Sequence, residues 1–271
     1  MRKNYTMKNL KYITVAIISF ALIGCGSAEG EVKEVKEPAI ASEYKANENQ
    51  LEIEAQMAAI DNDTLVVNNS LLYYKEVADI QVYVYKDPAT DEARKIIEEF
   101  TSEKGGSKQS IAYYMLNGKT IATQEIILVP VADSMQFLER VSYYNEKEEV
   151  VISKERTAYY EEELEYAQFM VGEKTKCSMD RALNVLKQEG EFATHFQSFI
   201  DSEYGLYMMV GENKPDGYSA TLLINSFGGV TNKLFKNPAA YKGKHLKLAF
   251  STEVDEGGYE YSLLHNASLV E

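Results

Sequence analysis

The spacing of hydrophobic and polar residues changes at about residue 64. Before that point, residues 48–60 place their apolar side chains near one face of a helix, which predicts a short amphipathic helix. After it, apolar and polar residues alternate, most strictly in residues 81–85, and this alternation predicts half-buried strands. Asn117-Gly118 predicts a hairpin turn because both residue types tolerate positive φ.

Tyrosine pairs mark the same region and occur at 73–74, 113–114, 143–144 and 159–160. The sequence around the second pair is echoed about thirty residues later, and two copies are too few for a repeat array. The pattern predicts an antiparallel meander whose tyrosines point alternately inward and outward. Residues 94–101 fit either a helix or a strand that enters a turn at Gly105-Gly106, and we expect the strand.

The last ninety-odd residues predict three strands, a short helix and two further strands. The strands are expected at 191–201, 206–210, 218–224, 244–253 and 259–264, and the helix at 229–236. This order resembles the OB-fold, and residues 237–244 (Asn-Pro-Ala-Ala-Tyr-Lys-Gly-Lys) resemble the segment before strand four in bacterial OB-like domains. The resemblance implies a five-stranded Greek-key barrel. A plain small β-sandwich is the alternative.

An acidic joint at residues 161–178 separates the two β-rich regions. Ser178 is expected to cap a helix that Gly190 ends. The fold class is therefore mainly β (α+β). We expect an antiparallel β-meander domain at 51–175 and, at 176–271, an OB-like five-stranded barrel with one short helix.

The N-terminus has the features of a sorting signal. A basic segment precedes an apolar run at residues 13–23, which is shorter than the roughly 20 residues that span a bilayer. The run ends in Leu22-Ile23-Gly24-Cys25, which resembles a bacterial lipobox. That resemblance implies a signal peptide at 1–24 and lipid attached to Cys25, so membrane lipid becomes a partner. An ordinary secretory signal or an N-terminal anchor with an incidental cysteine is the alternative.

The residues after Cys25 bear on the destination of the protein. Residues 25–50 are rich in charge, Pro and Gly without periodicity, which predicts a flexible acidic tether. Gly26 replaces the Asp that retains some lipoproteins at the inner membrane, so the resemblance implies the outer membrane, on either its periplasmic or its outer face. Glu29 and Glu31 resemble the acidic export signal of Bacteroidota lipoproteins. The whole chain resembles envelope lipoproteins of that phylum in its general sequence character, not in a motif.

Composition narrows the function classes. The formal net charge is −14, although the first 24 residues carry four basic residues and no acidic ones. Such a chain repels phosphate backbones, which argues against nucleic-acid binding. The sequence has two cysteines, so lipidation of Cys25 would leave Cys177 as the one free thiol, without an intramolecular disulfide. We expect Cys177 to be a small buried hydrophobic residue.

The sequence offers no convincing catalytic constellation. The three histidines, His195, His245 and His265, each occur singly in or near a predicted strand, and their spacing does not suggest a metal site. Asp61-Asn62-Asp63 resembles the start of a calcium loop, but the Gly and Glu that such a loop needs later are missing. We therefore expect no catalytic residues, no metal and no cofactor.

Aromatic residues are the one functional hint. An OB-type barrel presents a strand face on which aromatic rings can stack against a ligand. The candidates are Tyr204, Tyr207, Tyr218, Phe227, Tyr259 and Tyr261. Their ligand would be a glycan, a peptide or another envelope protein.

Three functions remain open at this point. The first is a lipid-anchored, non-enzymatic binding or scaffolding protein of the cell envelope. The second is a hydrolase of envelope glycans that uses acids from the Glu-rich turns, namely Glu146, Glu148 and Glu149 or Glu161–Glu163. The third is a structural tether that binds nothing.

Overall fold

The computed structural model describes residues 46–102, 106–131 and 133–270. Cys25 and the signal and tether segments lie outside these residues. The first element is helix α1 (Glu48–Asp61), which confirms the helix predicted at 48–60. Its predicted apolar face is wrong, because Leu51 is exposed and Gln50 and Ile60 are the buried residues. It begins after Asn47, whose side-chain oxygen accepts the backbone N–H of Gln50 at 3.0 Å and satisfies one of the free donors of the first turn.

Nine strands follow within the described residues. They are β1 (Val66–Asn69), β2 (Tyr73–Lys75), β3 (Ala78–Lys86), β4 (Ala93–Thr101), β5 (Gln109–Leu116), β6 (Lys119–Val131), β7 (Ser134–Tyr144), β8 (Val150–Ala158) and β9 (Met170–Val171). A 3₁₀ helix at Glu161–Tyr166 separates β8 from β9. Strand β4 confirms the strand expected at 94–101.

The C-terminal region contains helices α2 to α4 and the last five strands. In chain order they are α2 (Asp180–Lys187), β10 (His195–Ser202), β11 (Gly205–Gly211), β12 (Ser219–Ile224), α3 (Gly229–Lys236), α4 (Pro238–Tyr241), β13 (Leu246–Val254) and β14 (Glu260–Leu269). The first predicted strand was placed too early, because Gly190–Phe192 form a 3₁₀ helix. Helix α2 also ends before Gly190, at Gln188 in the left-handed conformation.

Strands β3 to β9 form an antiparallel meander in which each strand pairs with the next. Strands β1 and β2 lie end to end along one edge of β3, with Val66 opposite Lys86 and Lys75 opposite Ala78. The turn between β5 and β6 contains Asn117 and Gly118 at φ 52° and 74°. These positive values confirm the predicted Asn-Gly hairpin.

The tyrosine pairs in β5 and β7 do not alternate between core and solvent as expected, whereas the pair in β2 does, with Tyr73 buried and Tyr74 exposed. In β5, Tyr113 and Tyr114 point to opposite faces of the sheet, yet both are buried, and the pair in β7 behaves in the same way. The reason is that the meander is covered on both faces, by α1 on one and by α2 with the segment before it on the other. Tyr159 and Tyr160 follow the end of β8 and are exposed.

The sheet continues from the meander into the C-terminal strands. Strand β12 pairs with β2 at Ser219 and Tyr74, and it pairs in parallel with β14 through Leu223 and Ile224. The strands form one open, mixed sheet, so the mainly β class is confirmed and the OB-like barrel is not. An isolated bridge joins His195 to His245.

The largest core cluster draws on both parts of the chain. Tyr73 of β2 packs edge-on against Phe192, with ring centroids 5.3 Å apart, and its hydroxyl donates to the Phe192 carbonyl at 2.7 Å. Met208 and Leu222 of the C-terminal strands are fully buried in the same cluster. The division into domains at 51–175 and 176–271 stays a prediction, and the residues on either side of it share this core.

Candidate functional site

The sheet splits at β12, and the split forms a cleft. One end of β12 pairs with β2 and the other end pairs with β14, so the edges of β2 and β14 diverge. A depression of about 100 Å³ lies between them, and a second of about 530 Å³ shares Thr252 and Glu260 with it. We call the two together the tyrosine cleft. Its lining residues are Val67, Asn68, Asn69, Leu72, Tyr74, Gln81, Tyr207, Thr221, Phe250, Ser251, Thr252, Val254, Glu260, Tyr261 and Ser262.

Two strand edges border the wider end of the tyrosine cleft. Within the described residues, β1 pairs only with β3, and β13 pairs only with β14 apart from a backbone bond at Leu246. Val66 and Val67 of β1 and Val254 of β13 are exposed along these edges. Strand edges of this kind present backbone N–H and C=O groups that can pair with another extended chain.

The floor of the cleft is polar and fixed. Gln81 is buried, its Oε1 accepts the Tyr83 hydroxyl at 2.9 Å, and its Nε2 lies 3.5 Å from the Ser70 carbonyl oxygen. Burial, together with the negative charges of Glu99 and Glu260, raises the pKa of Tyr83 to about 12. Glu260 itself is exposed, so this end of the cleft carries negative potential.

The structure brings two of the six predicted aromatic residues together. Tyr207 and Tyr261 both line the tyrosine cleft. Tyr204 lies in the turn between β10 and β11 and Tyr259 in the hairpin between β13 and β14, where they are 78% and 75% exposed. Both rings are exposed because they lie in turns, and neither ring lies on the strand face that was predicted to bind a ligand.

The other two predicted aromatic residues do not line the cleft. Tyr218 is buried, with its ring centroid 4.9 Å from that of Phe192. Phe227 contacts Phe235 at 4.8 Å, in a row of rings that continues through Phe199 to the core residue Phe196. Tyr74 and Gln81 belong to the cleft and were not among the predicted residues, because the sequence placed them in a different domain.

The acidic candidates for hydrolysis occupy two places. Glu161 and Glu162 border an open depression of about 500 Å³ that also contains Glu139. Glu139 accepts hydrogen bonds from Arg156 at 2.5 Å and Gln124 at 2.7 Å, so its carboxylate is held in structural pairs. The hydrolase alternative stays a prediction without added support.

The second acidic cluster forms part of a turn. Glu148 accepts the backbone N–H of Thr120 at 3.2 Å, and Glu149 accepts the side-chain amide of Asn145 at 2.9 Å. These bonds join the β7–β8 turn to the start of β6 and close the turn on itself. The two carboxylates therefore stabilise the turn.

The histidines are not all single, contrary to the sequence-based expectation. The rings of His195 and His245 lie 5.1 Å apart, and burial together with His195 lowers the pKa of His245. His265 is separate and its Nε2 lies 2.9 Å from the Ser251 hydroxyl. Among residues 46–102, 106–131 and 133–270, no group of three or more His, Cys, Asp or Glu side chains could hold a metal ion.

A separate cavity of about 690 Å³ lies beneath residues 172–179, which we call the strap. The strap crosses the meander between β9 and α2, and side chains of the sheet hold it. The Tyr113 hydroxyl donates to the Ser178 carbonyl at 2.8 Å, and the Tyr144 hydroxyl accepts the Cys177 backbone N–H at 3.3 Å. We call the space below it the strap cavity.

Cys177 faces this cavity and is half-buried, where the sequence predicted a buried side chain. Burial raises the pKa of its thiol to about 11, with a further contribution from Glu125. At neutral pH the thiol is therefore protonated and a poor nucleophile. Its sulfur lies 3.7 Å from the Tyr113 hydroxyl.

Two buried carboxyl groups lie on the same face of the sheet. Glu98 pairs with Arg181 and accepts the Tyr113 hydroxyl at 3.4 Å. Oε1 of Glu125 is buried without a hydrogen-bond partner among the described residues. Burial raises the pKa of both carboxyl groups, although Arg181 and Arg140 respectively oppose the shift.

Comparison with known proteins leaves the site to be interpreted from its own geometry. No family model matches the chain, and no curated protein or solved structure matches it either. Within the described residues, no helix is both long enough and apolar enough to span a membrane.

Proposed function

We propose that this protein is a lipid-anchored, non-enzymatic binding protein of the bacterial cell envelope, held through Cys25 at the outer membrane. The support for the anchor is the lipobox-like Leu22-Ile23-Gly24-Cys25 and the tether that follows it. The support for binding is the tyrosine cleft. The observation that carries the proposal is that β1 and β13, each with one edge left unpaired by the described residues, border a cleft lined by tyrosines.

The ligand that fits this cleft is an extended peptide segment of another envelope protein. Its backbone would pair with the edge of β1, and its side chains would contact Tyr207 and Tyr261, as in recognition by strand addition. A glycan could stack on the rings but would not use the backbone edges. The exposed Glu260 favours a segment that carries basic residues.

We also propose that residues 176–271 form an OB-like unit. Its support is the order of three strands, a helix and two strands, and the parallel pairing of β12 with β14. The bridge between His195 and His245, with the bond from Phe196 N–H to the Lys244 carbonyl at 2.8 Å, links the first strand of the unit to the two residues just before its fourth strand. In this arrangement, Tyr207 and Thr221 lie on its outer strand face.

The test is photocrosslinking in living cells with the full lipidated chain. A photoreactive phenylalanine analogue replaces Tyr261 in the cleft, and the matched control carries it at Tyr166, which is 83% exposed and does not line the cleft. We expect a peptide adduct from the Tyr261 position that is absent from the control. A Cys25→Ala chain should lose the adduct if anchoring places the cleft near its partner.

The same adduct gives a quantitative prediction. Tyr207→Ala should weaken binding of the crosslinked segment about tenfold or more, because interface tyrosines often contribute ~2 kcal/mol. Binding to the purified chain is measured by fluorescence anisotropy of a labelled peptide. Identical adducts at both positions, or a Tyr207→Ala chain that binds normally, would contradict the proposal. Adducts to glycan alone would show that the ligand is a glycan and not a peptide.

A further inference from the structure

The strap cavity is lined mainly by apolar, aromatic and sulfur-containing side chains. Those that face it from the sheet and α2 are Ala93, Ile96, Tyr113, Met115, Tyr144 and Leu183. The tyrosine hydroxyls are already engaged with the strap and with Thr123. The rest of the lining includes the polar residues Thr120, Glu148, Lys176, Ser178 and Asp180. The volume of the cavity falls within the ~300–1,000 Å³ of small-molecule sites.

The strap separates apolar from polar residues by simple alternation. Cys177 and Met179 are half-buried and pack against the core, whereas Lys176, Ser178 and Asp180 are exposed. The strap therefore packs its apolar side chains against the core, while the exposed Lys176 and Ser178 also border the cavity. Met115 and Met179 add flexible thioether groups that can adapt to a ligand of varying shape.

The way in which the strap is held suggests an entry route. In its contacts with the sheet, the strap accepts a hydrogen bond from the Tyr113 hydroxyl and donates one from the Cys177 N–H to the Tyr144 hydroxyl. The Glu173 N–H donates to Glu155 at 3.4 Å. Between Thr175 and Met179 it belongs to no strand or helix. Segments with few backbone bonds open at low free-energy cost.

We propose that the strap cavity binds the acyl chain of a single-chain lipid, with its polar end at the strap beside Lys176. The apolar part of the lining selects the chain, and Lys176 supplies the one basic side chain of the lining. The lining also contains Glu148, which accepts the Thr120 N–H at 3.2 Å, and Asp180, which accepts the Ser178 hydroxyl at 2.8 Å. Free fatty acids and lysophospholipids share this chemistry. The site is separate from the tyrosine cleft and does not depend on the function proposed for it.

The test uses the full chain with Cys25→Ala, in which Cys177 is the only thiol and no acyl chain is attached. The rate at which iodoacetamide alkylates Cys177 is measured with and without decanoate, laurate or myristate, below their micelle concentrations. We expect protection that strengthens about fourfold in Kd for each added CH₂, since each contributes ~0.8 kcal/mol on burial. The same measurement with a lysophospholipid of equal acyl-chain length shows whether the site prefers a free fatty acid or a lysophospholipid.

Matched tryptophan variants locate the ligand, because the chain contains no tryptophan. Leu183→Trp fills the cavity, whereas Leu186→Trp, on the same helix and half-buried against the core, does not. Laurate should bind at least tenfold more weakly to the first variant and normally to the second. Lys176→Glu should weaken laurate and leave dodecanol unchanged.

Three results would overturn the proposal. They are unchanged alkylation of Cys177 at saturating laurate, an affinity that does not depend on chain length, and equal binding by the two tryptophan variants. The alkylation measurement uses no substitution at the cavity, so it stands even if Leu183→Trp fails to fold.

Discussion

The two faces of the meander are formed by the same strands but are covered by different segments of the chain. On the face under α1, which we call the helix face, Tyr114 and Tyr143 pack with Ile60 in a closed cluster. Its charges are paired: Glu54 accepts Lys154 and the Tyr143 hydroxyl, each at 2.5 Å.

The opposite face, which we call the strap face, has a cavity and two buried carboxyl groups whose charged forms burial disfavours. It contains the strap cavity, the Glu98–Arg181 pair and Oε1 of Glu125, which has no hydrogen-bond partner among the described residues. A regular fourteen-residue helix can follow a sheet closely, whereas an irregular strap touches it at a few points. The comparison suggests that one face stabilises the fold and that the other leaves room for a ligand.

The largest expected effect compares neighbouring tyrosines. Tyr143→Ala should lower the free energy of unfolding by about 3–5 kcal/mol, because this ring is fully buried in the closed cluster. Tyr144→Ala should cost clearly less, since that ring already borders a cavity. Urea unfolding followed by circular dichroism measures the free energy of unfolding of both variants. Equal losses would contradict the proposed difference in packing between the two faces.

A middle-sized effect concerns the buried ion pair on the strap face. Arg181→Gln leaves the carboxylate of Glu98, which is 1% exposed, without its countercharge and should cost about 2 kcal/mol near neutral pH. Because the folded pKa of Glu98 is raised by burial, the loss should shrink as pH falls and the carboxyl takes up a proton. Adding Glu98→Gln should restore most of the stability, and no recovery would show that packing, not charge, caused the loss.

The smallest effect is a pair of opposite pH profiles. Burial raises the pKa of Glu54, but hydrogen bonds from Lys154, Tyr143 and Gln50 outweigh it, so the folded pKa lies below its ordinary value. Glu54 therefore stabilises the fold above the ordinary carboxyl pKa, and this contribution is lost as pH falls through the folded value. Glu54→Gln should be less stable than the wild type at neutral pH and converge with it in acid.

Glu125 should behave in the reverse sense. Its pKa is raised by burial, so the charged form costs stability as pH rises through the folded value. Glu125→Gln should be about 1 kcal/mol more stable than the wild type at neutral pH, and the difference should close as pH falls. Unfolding curves from about pH 8 to about pH 4 measure both variants. Profiles of the same sign would contradict the comparison.

Local signals in the sequence placed most elements correctly. Helix α3 lies where it was expected, at Gly229–Lys236, and the Asn117-Gly118 turn has the predicted positive φ values. Strand β13 keeps Leu246 and Leu248 buried on one face, as alternation predicts. These features depend on neighbours a few residues apart, which a single sequence contains.

The candidate sites needed contacts between distant residues. The tyrosine cleft joins Tyr74 to Tyr207 and Tyr261, and the strap cavity joins β4 and β5 to a segment some sixty to eighty residues later. Two of the six predicted aromatic residues reached the cleft, because strand alternation sets the face of a ring and not what covers it.

The sequence by itself determined the β-rich class, the positions of most strands and turns and, in strands such as β13, which side chains share a face. Only the tertiary structure decided that both faces of the meander are covered, that β12 divides its pairing between β2 and β14, and that a cavity remains under the strap. The physical reason is that local conformation follows from backbone preferences, whereas burial depends on which distant surface packs against each face.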